Sequence, residues 1–370
     1  LLACGVFVVV SIGIFRQDAL SDAHLRSSGT GGFELYAETA VGVPRDLNSP
    51  AGRKAIGLAD APIPSDAVVP FRVREGDDAT CLNLNRPQTP RILGVRPPDL
   101  ALRQAFTFTA VTESTKDNPW LLLEEDLYDG AIPGIAEAET IQWALDRKLG
   151  DSLSLVDDNG REVRIRLVAG LANSVLQGSV IISEEHFIER FGSGDGHRLF
   201  LIDAPSGEQR EARRALEGSA ELRRLGLEVI PASTRLAAFL RVKNTYLGMF
   251  QVLGGLGLLL GTVALAAVVF RNVQQRRSEL ALLRSVGFAR RRVLGVVAGE
   301  HWALLGLGLV CGTAGGLFAA LPAVVATAVR PNHALLVAVI AAVLVSGGVW
   351  ILIAAWATTR GRLIDALRGE

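Results

Sequence analysis

Several chemical signatures are missing from this chain of 370 residues. No GxxxxGK(S/T) loop is present to cradle nucleotide phosphates, and no HExxH supplies a metal centre. No paired-cysteine motif or GxSxG nucleophile turn occurs either. The three cysteines build no disulfide framework. Cys4 and Cys311 lie in apolar runs and read as small buried hydrophobes, and Cys81 stands alone in the polar part of the chain. The formal net charge is zero, which removes the electrostatic case for a nucleic-acid partner. His24, His186 and His197 are isolated in sequence. The glycine-rich stretch Gly192 to Gly196 follows no strand-to-helix pattern and reads as a surface loop. The acids Glu124, Glu125 and Asp126 read as a solvated helix start. No catalytic residue, cofactor site or metal site is therefore expected, and the chain is not expected to be an enzyme.

What is present is a sharp division. From Arg16 to Asn244 the sequence is mixed and turn-rich; from Thr245 onward it is dominated by Leu, Val, Ala and Gly. This predicts a membrane α-helical bundle with a large α+β domain inserted between its first and second spans. Residues 1–15 read as a first span cut short, since about 20 apolar residues are needed to cross the hydrocarbon core. The chain is accordingly expected to be a fragment or one half of a longer protein. Residues 246–270 form the second span. The run 293–329 is too long for one straight crossing and too short for two, so one long helix with a break or bend at Pro322 is expected. Residues 334–356 make the fourth span, and 357–370 a tail.

Between the second and third spans, residues 271–292 hold Arg271, Arg276, Arg277, Arg284, Arg290, Arg291 and Arg292 against a single acid, Glu279. Basic short loops stay in the cytoplasm. This orientation places the tail and the N-terminus inside and residues 16–244 outside, in a multi-pass cell (inner) membrane protein. The spans carry glycine pairs at four-residue spacing, Gly257 with Gly261 and Gly308, Gly312 and Gly316 on one helix face. Such faces let helices approach closely in lipid, within the bundle or against a second copy. Glu300 and His301 interrupt the third span near its inner end. Glu300 lies within reach of the arginine cluster.

The outer domain, 16–234, reads as α+β. Ser152–Val156 and Arg161–Leu167 alternate about the turn Asp157–Gly160, which predicts a hairpin. The Asp157/Asn159 pair lacks the rest of a calcium loop. Ala136–Leu149 has helical spacing. Ser183 ahead of Glu184, Glu185 and Phe187 reads as an N-cap. Glu208–Leu216 reads as a helix, Leu225–Ile230 as a strand, and 235–245 as a stalk helix entering the second span.

At the basic loop the sequence resembles the FtsX-like, MacB-type permeases of ABC transporters. The resemblance rests on Arg271-Asn272, on Arg276 through Gly287, on Arg290 to Arg292, on Glu300-His301, and on the ending Leu363 to Glu370. It implies four spans, a large outer domain, and a cytoplasmic ABC ATPase made separately. It also implies that 271–292 is the coupling helix seated in a groove of that ATPase, through Arg276, Arg277, Glu279, Leu280, Leu283, Arg284 and Gly287. Leu280, Leu283, Val286 and Phe288 give the apolar stripe that helix-in-groove contact needs; an amphipathic helix lying on anionic lipid needs the same stripe. Further implied partners are the lipid bilayer, a second permease copy or duplicated half, and an extracytoplasmic cargo such as a lipid, lipoprotein, peptide or drug. The other function read from this pattern is a non-transporting signalling or scaffold protein acting on an outer partner such as a cell-wall hydrolase.

Overall fold

The computed structural model describes residues 2–15, 23–76, 89–112, 118–157, 159–192, 196–205, 207–327 and 333–358. Cys81, most of the Gly192 to Gly196 loop, the turn at 330–332 and the Leu363 to Glu370 ending lie outside that set. The chain divides into two compact units, Leu1–Gln17 with Val242–Glu370, and Asp18–Arg241.

In chain order the elements are α1 (Leu2–Phe15), β1 (Leu35–Val43), α2 (Pro50–Ala55), β2 (Val68–Arg74), β3 (Arg91–Val95), α3 (Pro97–Ala101), β4 (Phe108–Val111) and β5 (Ile132–Glu137). Then come β6 (Ser152–Val156), β7 (Glu162–Leu171), β8 (Ser179–Ser183), α4 (Glu184–Phe191), β9 (His197–Ile202), α5 (Gln209–Gly218), α6 (Ala220–Arg224) and β10 (Glu228–Pro231). The chain continues as α7 (Ala232–Gln275), α8 (Arg277–Ser285), α9 (Arg290–Thr327) and α10 (His333–Thr358). A 3-10 turn spans Pro119–Glu124 and a π-helical turn Thr140–Ala144.

The sheet unit is α+β. Its strands run in the order β10-β1-β9-β2-β3-β8-β5-β7-β4, with β6 paired to β7. The sheet is mixed: β3 with β8 and β5 with β7 are parallel, the other pairs antiparallel. Two-residue periodicity sorts the core onto opposite faces. Tyr36, Leu93, Leu199 and Leu201 face one layer, which holds Trp120 and the start of α7 through Ala232, Leu236 and Leu240. Leu35, Ala37, Phe200 and Ile202 face the other way, under α5 and α6. Ile92, Val180 and Ile182 face a third cluster under α4 and the π-helical turn. Trp120 is fully buried, and its Nε1 donates to the Ala105 carbonyl at 2.8 Å. Phe106 and Phe108 stand edge-on to its ring at 6.0 and 5.4 Å.

The Ser152–Leu167 hairpin forms in register, Leu153 opposite Ile165 and Leu155 opposite Val163. Asp157 Oδ1 closes its turn by accepting from the Asn159 and Arg161 amides at 2.8 and 2.7 Å, so that carboxylate is a turn former. Ser183 caps α4, its Oγ accepting from the His186 amide. The helix expected over Ala136–Leu149 is shortened: Ala136 and Glu137 finish β5, and helical backbone covers only 138–144, of which Thr140–Ala144 is a π-helical turn. Every residue of β5 is buried between β7 and β8, and those pairings outweigh a local helical spacing. The acids at Glu124 close a 3-10 turn instead of opening a helix.

In the helical unit, α7 and α9 contain stretches long and apolar enough to cross a membrane, Ala232–Asn272 and Arg291–Ala319. The apolar stretches of α1 and α10, Ala3–Gly13 and Val337–Ile353, are shorter. Helical backbone continues through Pro322 to Thr327, so of the expected break or bend no break occurs. Cys4 and Cys311 are exposed on the isolated chain, not buried.

Candidate coupling surface

Two turns isolate α8 from its neighbours. Arg276 separates it from α7, and Val286 to Ala289 separates it from α9. The C-terminal turn is defined by Gly287, whose φ of +103° strains any residue with a Cβ. The Phe288 amide donates to the Leu283 carbonyl at 3.1 Å, and the Val286 amide to Leu282 at 3.1 Å. A left-handed glycine with that six-residue closure is a Schellman cap. Its function is geometric: it ends α8 and turns the chain into α9.

Arg276 ties the loop to α9. Its Nε lies 3.2 Å from Glu279 Oε2 and its Nη1 3.1 Å from Glu300 Oε2. All three side chains are roughly half or more exposed, so each pair contributes on the order of 0–1 kcal/mol. The pairs set direction more than stability. His301, only 1% exposed, donates from Nδ1 to the Val297 carbonyl at 2.8 Å, which satisfies its buried polarity within one helical turn.

The apolar residues of α8 and of the turn that follows it divide in two. Leu280 is half-buried against the bundle core that holds Val269 and Val297. Leu282, Leu283, Val286 and Phe288 are exposed. The expected stripe is thereby corrected: Leu280 packs inward, and Leu282, which sequence reasoning passed over, takes its place outside. The missed signal was the Leu282–Val286 spacing of four, as good a helical face as 280 and 283. Glu279 is exposed beside this face. Arg277 and Arg284 lie on α8, and their side chains are outside the described set.

The glycine positions also separate. A Cβ on Gly312 would stand 2.7 Å from the Ala3 carbonyl oxygen, and one on Gly316 3.0 Å from Val10. These two receive α1. Gly257 and Gly308 have open space where a Cβ would be, so neither makes a close contact among the described residues. Gly261 is buried. Close approach recurs where no spacing motif flagged it: Gly5 meets Leu258, Gly254 meets Val8 and Val9, and Gly347 meets Leu305.

The sheet unit holds two electrostatically distinct carboxylates. Burial raises Glu184, but hydrogen bonds from His197 and from Arg72 outweigh it and bring the pKa to about 2. The Arg72 contact is 2.7 Å and the His197 contact 2.8 Å. Glu137 goes the other way. Burial, with the nearby Glu139 charge, pushes it up to about 7, although the Thr140 amide and hydroxyl donate to its Oε2 at 3.0 and 3.1 Å. Among the described residues no group of His, Cys, Asp and Glu is placed to hold a metal ion.

With this geometry in hand, the comparisons are informative for one region. Residues 252–363 match the family described as FtsX-like permease C-terminal. That stretch contains the whole of α8, α9 and α10 and the second half of α7, and it bears out the resemblance seen at the basic loop. FtsX-like permeases are membrane-associated transporter components. Among solved structures, the crystal structure of the periplasmic region of MacB from Actinobacillus actinomycetemcomitans is similar to this chain. It is 12% identical, covers 59% of this chain and 95% of its own length, with a TM-score of 0.28. No curated protein sequence matched.

Proposed function

We propose that this chain is the permease subunit of an ABC transporter, which couples ATP hydrolysis by a separate cytoplasmic ATPase to motion of the sheet unit on the opposite side of the membrane. All four long or apolar helices, α1, α7, α9 and α10, are spans in this reading, with both termini and α8 in the cytoplasm. The observation that carries it is α8. It is a short helix set off by two turns, tied to α9 through Arg276 and Glu300, with an outward apolar face of Leu282, Leu283 and Val286. A helix presenting such a face beside charged residues suits a groove in a partner protein. Glu279, Arg277 and Arg284 would flank the contact and fix its orientation, and Leu280 would anchor α8 to the bundle. The cargo is extracytoplasmic, and its transfer works by mechanotransmission, because the spans offer almost no charge to line a polar pathway.

The test is a co-expressed ATPase. Leu283→Asp and Glu279→Arg are expected to abolish its co-purification with the permease and its stimulated ATP hydrolysis. Tyr128→Ala, an exposed site on the sheet unit, is expected to leave both unchanged. Unaltered stimulation in the α8 variants would remove the coupling role.

A further inference from the structure

The sheet unit contains a cleft of about 690 Å3 whose walls are built from irregular backbone. It lies where β4, β5 and β7 meet. β7 shifts register by one residue against β5, at Val168, and β4 shifts against β7, at Thr109. Above the sheet runs the π-helical turn Thr140–Ala144, followed by Asp146 in a left-handed conformation at φ +52°. Bulges, π turns and left-handed non-glycine residues each cost stability and each concentrate at functional sites. Here the β4 bulge at Thr109, the π-helical turn and Asp146 all line one cavity.

The cleft exists because the sheet face under it is nearly bare. Gly170 carries no side chain, and a Cβ there would already meet Thr109 Oγ1 at 3.3 Å and Ala138 at 3.5 Å. Thr109 spends its hydroxyl on the Gly170 carbonyl at 3.1 Å. The floor therefore offers small apolar surface and no uncommitted hydroxyl. Ile141 and Leu149 line the cleft with it, and Trp143, 68% exposed, stands at its side. Charge is confined to the rim, beside the exposed Gln142. Asp151 Oδ2 is occupied by the Lys148 amide at 2.8 Å, and Asp146 has an interaction of its own. Arg147 commits one Nη to the Asp146 carbonyl at 3.3 Å, which leaves most of its five donors over. No partner for the Lys148 ammonium occurs among the described residues. An amide hydrogen bond leaves the Asp151 carboxylate charged, so the rim sets two acids, Asp146 and Asp151, beside two bases, and the side-chain donors left over belong to Arg147 and Lys148.

A sugar or nucleotide would require hydrogen-bonding groups on the floor, and the spare donors of Arg147 and Lys148 call for an acceptor-rich head group. We propose that this cleft binds an amphipathic anion, with its apolar chain or ring on Ala138, Ile141, Leu149 and Trp143 and its anionic head at Arg147 and Lys148. The volume falls within the roughly 300–1,000 Å3 of small-molecule sites. The site is independent of whether α8 engages an ATPase.

The test uses the full chain in phosphatidylcholine nanodiscs with a diazirine-bearing palmitate as probe. Photolabelling, mapped by mass spectrometry, is expected at residues 138–151. Laurate and dodecyl phosphate should displace the probe there, whereas dodecyltrimethylammonium and inorganic phosphate should not. Arg147→Glu with Lys148→Glu, and separately Trp143→Ala, are exposed substitutions expected to lower labelling by about ten-fold or more at unchanged circular dichroism. Doping the nanodiscs with phosphatidylglycerol separates the sources: displacement identifies a bilayer lipid, and its absence identifies a free amphiphile. Labelling that is absent from 138–151, persists in the charge-reversed chain, or is displaced equally by the cationic amphiphile overturns the proposal.

Discussion

The sheet unit and the helical unit keep their hydrophobic residues in opposite ways. The sheet unit sorts them by two-residue alternation onto layers that are shut from solvent, with Trp120, Phe71 and Leu93 at zero or near-zero exposure. The helical unit turns Leu253, Leu256, Val263 and Phe318 outward. What it buries instead is glycine backbone, against α1 at Gly312 and Gly316. Water forces the first solution, because apolar side chains gain about 25 cal/mol for each Å2 removed from it. Lipid supplies no such force between helices, so close backbone approach takes over. The two units should therefore fail under different substitutions.

The largest effect belongs to Trp120→Ala. It empties a closed layer and leaves the Ala105 carbonyl without its donor. The expected cost is about 3–5 kcal/mol, read as a lowered urea midpoint of the sheet unit. The folded remainder should stimulate a co-purified ATPase as before. An equal loss from Leu256→Ala, on the exposed face of α7, would erase the contrast between the units.

Next is pH. A carboxyl whose pKa is higher folded than unfolded binds more protons in the fold, so stability falls as pH rises. Glu137, at about 7 against an ordinary 4.5, contributes fully below pH 4.5, and that contribution is lost as pH climbs through 7. The span is at most about 3 kcal/mol. Glu137→Gln should flatten the slope of urea stability between pH 5 and 8. Glu184 has the opposite sign: its depressed pKa of about 2 gives stability that disappears only in acid, as pH falls from about 4.5 towards 2. A slope between pH 5 and 8 that survives Glu137→Gln would place the titration elsewhere.

A smaller effect separates the glycines of α9. Gly312→Val drives a side chain against the Ala3 carbonyl and Val6, an overpacking cost of about 1–3 kcal/mol. Gly308→Val meets open space and should leave the thermal transition of the helical unit unmoved. If Gly308→Val instead disperses a dimer in crosslinking, that glycine faces another copy of the chain.

Legibility followed the same division. The hairpin at Asp157 and the cap at Ser183 were readable because a few adjacent residues determine them. The strand β5 was not, because its burial comes from β7 and β8, which lie far along the chain. Around α8 the reading located the loop between two long apolar helices but misjudged one face. Spacing alone permits either Leu280 or Leu282 outside, and packing against the buried cluster of the bundle decides. The cleft beside Trp143 was invisible in sequence, since it depends on register shifts and on side chains that are small, not on any motif.

The smallest effect tests the turn that gives α8 its direction. Gly287 sits at φ +103° with nothing within 4 Å of a Cβ, so Gly287→Ala costs backbone strain and no clash. That strain is about 1 kcal/mol, enough to raise local opening several-fold. Hydrogen exchange at the Phe288 amide, which closes the cap on Leu283, should accelerate by about five-fold, while amides of β5 and β8 keep their rates. Gly287→Asn should fall between, because asparagine enters left-handed conformations more readily than alanine. ATPase stimulation should decline in the same order, Gly, Asn, Ala, if the direction of α8 is what the partner reads. Stimulation that ignores the cap while exchange responds to it would assign coupling to the exposed leucines alone.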